Sequence, residues 1–210
     1  EHHALMDSIL STASSHLQSS DRHECTACGH FEKCQSNGNS MLHAHHFERT
    51  IATYPCTRVT GTYVCKYYPR YVSELINVFS YLKWKSENDV PYSVLSIGSG
   101  PSPELVAIKT LNPDLTVHYT GIDYNPHWGP IQSFFKENEQ ANSTIKYYRY
   151  DLFGTAHKLN STGNVLPFSL VLINYVVSSM HVSHSDLEIL DLLAVMENQD
   201  RKSTRLNSSH

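Results

Sequence analysis

Residues Val94 to Ile108 read "VLSIGSGPSPELVAI". Val94 to Ile97 is a short apolar run that predicts a buried strand, and a segment with the apolar spacing of a helix begins near Glu104. Between them stand Gly98, Gly100, Pro101 and Pro103. Glycine there permits backbone angles closed to other residues and lets a ligand pack against bare main chain. Ser102 is placed to cap the helix, with Pro103 at its first position and Glu104 near the positive end of its dipole. Leu105, Val106, Ile108 and Leu111 then face a sheet, and Asn112-Pro113 ends the helix. Open α/β sheets bind ligands outside the carboxyl ends of their strands, where this turn falls.

The chain on either side supplies the rest of such a sheet. Pro69 is predicted to open a helix, with Val72, Leu75, Ile76, Phe79 and Leu82 on one face. "VHYTGI", Val117 to Ile122, reads as a second strand. Trp128, Ile131, Phe134 and Phe135 suggest the next helix, and "IKYYRY" a third strand. "LVLINYVV", Leu170 to Val177, has the composition of a strand at a sheet centre. A last helix carries Ile189, Leu192, Leu193 and Met196 on one face. Strands alternating with helices at this spacing predict βαβ units and a parallel sheet, an α/β Rossmann-like fold.

Asp123 ends the second strand, 25 positions after Gly98, where a carboxylate can accept both hydroxyls of a ribose. A plain turn-capping aspartate is the alternative. Asp151 ends the third strand in "YRYDLF", with a helix cap or turn as an equal reading. With these motifs in order, the chain from Tyr67 to Asn198 resembles the class I S-adenosylmethionine-dependent methyltransferases. The resemblance implies that Gly98, Ser99, Gly100 and Pro101 border the methionine part of the cofactor. It also implies that Asp123 and Tyr124 hold the ribose and its surroundings, and that Asp151 and Leu152 contact adenine. Asn174 and Tyr175 would then face the transferred methyl group, with Asn174 also counted as cofactor-binding. His181 or His184 is a candidate base where the acceptor must lose a proton, surface or capping roles being the commoner fate of such histidines. "INYVV" lacks the Asn/Asp-Pro-Pro-aromatic string of the family's amino-group methylators, which argues against a base nitrogen as acceptor. Ser102 stands where the usual turn has a third glycine. A dinucleotide-binding turn needs that glycine, so a NAD-dependent oxidoreductase is a third reading behind an active and a catalytically silent methyltransferase-like protein.

Residues 1–66 differ in chemistry. They hold all five cysteines, are rich in His and Ser, and have poor apolar periodicity, so an irregular extension is expected before a methyltransferase-like domain over 67–199. "ECTACGHFEKC" places Cys25, Cys28, His30 and Cys34 within ten residues. A C-x2-C pair can hold one side of a zinc ion, with Cys34 as a third ligand and His30, Cys56 or Cys65 as the fourth. An iron–sulfur cluster and plain free thiols are the alternatives. His43, His45 and His46 read as solvated. A Cys-rich segment before "YYPRYVSELINVF" and a "GSGP" turn also resembles the methyltransferase-like proteins that associate with the small ribosomal subunit. A ribosomal or other assembly partner follows from that likeness.

"DRKSTRLNSSH", Asp200 to His210, resembles the in-frame translation of a sequencing-library adapter and is set aside from fold reasoning. It carries a net +2 of the chain's −4, leaving about −6 on residues 1–199. Nothing in that balance supports electrostatic capture of nucleic acid. No apolar run reaches membrane-spanning length and no signal peptide is seen. The odd number of cysteines and the α/β pattern lead to the expectation of an intracellular, cytoplasmic protein. Asn142-Ser-Thr and Asn160-Ser-Thr match glycosylation acceptors and read as chance. The chain starts at Glu1 without a Met, and both natural ends are expected to lie outside it. The family resembled has strand order 3-2-1-4-5-7-6. A chain supplying only the first four strands is expected to aggregate or stay partly molten, without methyl transfer.

Overall fold

The structure is a computed structural model and describes residues 2–18, 57–82, 91–138, 143–149 and 168–173. Its helices are α1 (His2–Gln18), α2 (Thr57–Phe79), α3 (Pro103–Leu111) and α4 (Gly129–Glu137), the last preceded by a 3-10 turn over Pro126–Trp128. Its strands are β1 (Tyr92–Ile97), β2 (Val117–Ile122), β3 (Thr144–Tyr148) and β4 (Leu170–Ile173). The four strands form one parallel sheet in the order β3-β2-β1-β4. This is the α/β sheet of Rossmann-like type expected from the alternation of strands and helices. The expected strand over 170–177 is described only to Ile173, and the helix expected around Ile189 to Met196 lies outside the described residues.

The strand pleat divides the core. Val94, Val117, Tyr119 and Leu172 point to one face, where they pack with Ile9 and Ala13 of α1 and with Val64, Val72 and Phe79 of α2. Leu105 and Ile108 of α3 and Ile131 and Phe135 of α4 complete that cluster. Leu95, Ile97 and Ile122 point to the opposite face, with Phe168 and Ile173 against them. Among the described residues, no helix is long and apolar enough to cross a membrane.

Two expectations about helices are corrected. α2 begins at Thr57 and carries Pro69 in its interior, so the proline does not open the helix and residue 66 lies inside it. Val59, Tyr63, Val64, Tyr68, Tyr71, Val72, Leu75 and Phe79 are all buried, a stripe that runs straight through the proline. Burying it outweighs the cost of about 3 kcal/mol that an interior proline imposes. The second correction is α1, placed where an irregular, Ser-rich start is expected. Ile9 and Ala13 are fully buried. The hydroxyls of Ser8 and Thr12 donate to the carbonyls of Ala4 and Ser8 four residues back, at 2.8 and 2.9 Å. Such bonds satisfy the hydroxyls at a slight cost to the helix, which the burial of Ile9 and Ala13 offsets.

Candidate functional site at the strand ends

The register aligns Ile97 with Ile122 on one side and Ile173 on the other, and Ile122 with Tyr148. The first residues past three neighbouring strands, Gly98, Asp123 and Arg149, therefore lie along one edge of the sheet. Gly98 and Gly100 have φ of 65° and 46°, the left-handed region that favours glycine. Ser102 has φ of 54° as well, at a cost of about 1–2 kcal/mol for a residue with a Cβ.

Asp123 closes this turn against β2. Its Oδ2 accepts the Gly100 N–H at 2.9 Å and its Oδ1 accepts the Asn125 N–H at 2.8 Å. Burial pushes its carboxyl above the usual range, and the two N–H donors pull it partly back. Trp128 is buried beside Gly100, and Gln132 Nε2 donates to the Gly100 carbonyl at 3.1 Å. Tyr124 is exposed next to Asp123.

The amide hydrogens of the turn are already used. Gly98 and Ser99 donate to the Ile122 carbonyl at 2.8 and 3.1 Å, and Gly100 donates to Asp123. Ser102 donates to the Ser99 carbonyl at 2.7 Å and Leu105 to that of Ser102 at 3.2 Å. Pro101 and Pro103 have no N–H. A pyrophosphate cradle needs several free donors at such a turn. This one has none to give from Gly98 to Ser102. A carboxylate has about four acceptor positions, so Asp123 retains room for a ligand hydroxyl.

Ser102 does not cap α3 with its side chain, contrary to expectation. Its Oγ lies 3.0 Å from the hydroxyls of both Tyr119 and Tyr147. The Tyr68 hydroxyl reaches the Ser102 carbonyl at 3.4 Å. Tyr119 also meets the Glu104 carboxylate. Glu104 is a buried acid in contact with hydroxyls, more than a charge placed at a helix start, and burial raises its carboxyl above the ordinary range. Sequence reasoning missed this cluster. One signal was available: Gly121 inside a strand marks close approach of another group, here the Tyr147 ring.

Of the remaining sequence candidates, Asp151, Leu152, Asn174, Tyr175, His181 and His184 lie outside the described residues, as do Cys25, Cys28, His30 and Cys34. Among the described residues, no group of three or more His, Cys, Asp or Glu is placed to hold a metal. The fold and turn define a parallel α/β protein of Rossmann-like type. No protein-family model and no curated protein matches the chain.

Proposed function

We propose that the chain is part of a class I methyltransferase-fold protein that binds S-adenosylmethionine at the carboxyl edge of β1 and β2. The observation that carries this reading is the bond from Gly100 N–H to Asp123. It sets a ribose-competent carboxylate beside a turn that has no amide left for a pyrophosphate. That combination suits a nucleoside cofactor without phosphates better than a dinucleotide. Gly98, Ser99, Gly100 and Pro101 would border the methionine part, Asp123 the ribose, and the exposed Tyr124 ring one side of the base. Asp151, Leu152 and Asn174 belong to the same proposal, with Asn174, Tyr175 and His181 nearest the acceptor.

The bound cofactor would supply an activated methyl group with its own leaving group, so the chain's residues need only hold and orient. Calorimetry of the full chain with S-adenosylmethionine, S-adenosylhomocysteine and NAD tests the reading. Binding of the two adenosyl compounds without NAD is expected, and binding of NAD alone would reverse the assignment. Transfer of labelled methyl to cell extract by the complete natural protein distinguishes an active enzyme from the silent assembly factor that the ribosomal resemblance suggests.

A metal centre at Cys25, Cys28, Cys34 and His30 is the second part of the proposal, zinc ahead of an iron–sulfur cluster. Elemental analysis of protein prepared under reducing conditions is expected to find close to stoichiometric zinc, lowered by Cys25→Ser or Cys28→Ser. Protein with neither zinc nor iron would leave these residues as plain thiols.

A further inference from the structure

We propose that Glu104, Tyr119, Ser102 and Tyr147 form a pH-responsive hydrogen-bond chain whose direction reverses when Glu104 gains or loses its proton. The chain ties the exit of the glycine turn to β2 and β3, and it does not depend on which ligand the turn holds.

The Tyr119 hydroxyl contacts both Ser102 Oγ and the Glu104 carboxylate, but it has one hydrogen to give. With Glu104 ionised, every contact is satisfied in one direction. Tyr147 donates to Ser102, Ser102 to Tyr119, and Tyr119 to the carboxylate. With Glu104 neutral, the same contacts are satisfied in reverse, from Glu104 through Tyr119 and Ser102 to Tyr147. Ionisation therefore turns the chain round without breaking it.

The surroundings set which state is preferred. Glu104 is 1% exposed, and the one ion pair among the described residues, Arg70–Glu74, is elsewhere. The groups facing Glu104 are Ser96 of β1, Tyr119 of β2, Tyr68 of α2, Tyr147 of β3 and the carboxylate of Asp123. Asp7 on α1 is exposed to solvent. Lys136 of α4 lies over the Tyr147 ring, 5.6 Å from its centre, at the far end of the chain. A buried carboxyl without a paired cation favours its neutral form. The hydrogen bond from Tyr119 offsets burial only in part, and Asp123 adds to the rise.

The folded protein holds the proton more tightly than the unfolded chain, so the stabilisation is complete below the ordinary value of 4.5. It is lost as pH rises through the raised folded value. Glu104→Gln keeps the shape of the neutral acid but cannot ionise. Unfolding of the full chain by denaturant, from about pH 5 to about pH 8, is expected to show wild type losing ground to Glu104→Gln as pH rises. The loss reaches at most about tenfold in folding equilibrium constant per pH unit and stops once Glu104 is ionised. A difference that stays constant with pH would overturn the proposal. Infrared difference spectroscopy of wild type with isotope-labelled glutamate decides the matter even if Glu104→Gln does not fold. A protonated glutamate carbonyl band persisting above the pH at which the other glutamates have ionised, and shifted in Tyr119→Phe, is expected. Absence of that band, or its indifference to Tyr119→Phe, would overturn the chain.

Discussion

Asp123→Ala is expected to lower both the stability of the fold and the affinity for S-adenosylhomocysteine. With Asp123 read from sequence as a ribose-binding acid, its replacement by alanine would weaken the ligand and spare the fold. The structure gives the aspartate two hydrogen-bond partners: Gly100 N–H at 2.9 Å and Asn125 N–H at 2.8 Å. Both residues are buried, and alanine leaves their donors without an acceptor. A hydrogen bond to a charged group is worth about 1.5–3 kcal/mol, and a buried orphan donor costs a similar amount. Stability should therefore fall by at least about 1.5 kcal/mol, read as a shift in denaturant midpoint. Loss of the proposed ribose hydrogen bonds should weaken binding by about 1.5–3 kcal/mol, roughly tenfold to a hundredfold. The two effects separate when calorimetry is done well below the melting range of the variant. Reduced stability with unchanged affinity would make Asp123 a clamp for the glycine turn alone. Unchanged stability would mean that the turn holds without it.

Gly121→Ala is expected to be the most damaging single-methyl change in the sheet. A Cβ at this position would lie 2.7 Å from Cδ1 of Tyr147 and 2.8 Å from Oγ of Ser99. Neither neighbour yields easily. Tyr147 is held at 3.0 Å to Ser102, and Ser99 is buried within the glycine turn. Alanine in place of glycine gains about 0.4–1 kcal/mol through the unfolded chain, but forcing atoms into a packed site costs about 1–3 kcal/mol. Moving the ring also breaks the hydroxyl chain at Ser102. A net loss of about 1–2 kcal/mol is the expected result of denaturant unfolding. In a Tyr147→Ala background, where the ring is already gone, Gly121→Ala should cost less than in wild type, because the two changes share one contact. Wild-type stability in Gly121→Ala would show that the sheet repacks around the methyl group.

The parallel sheet was legible in the sequence because its signals are local. Val117 to Ile122 appears as a strand over the span expected, and α3 starts at Pro103 and stops at Asn112 as proline and asparagine dictate. The order β3-β2-β1-β4 is that of the first four strands of the family the sequence resembles. Asp123 was legible too, by its place after a strand. What the sequence could not state is how the same residue types divide their hydrogen bonds. Ser102 has the identity and position of a helix cap, yet its hydroxyl goes to Tyr119 and Tyr147, which lie 17 and 45 positions away in the chain. Glu104 has the position of a dipole-compensating acid, yet it is buried among β-strand hydroxyls. Pro69 has the local chemistry of a helix start, yet it sits within α2 because the buried stripe continues on both sides. In each case a local preference of about 1–3 kcal/mol met burial contributed by distant strands and helices, and only the assembled core determined which prevailed.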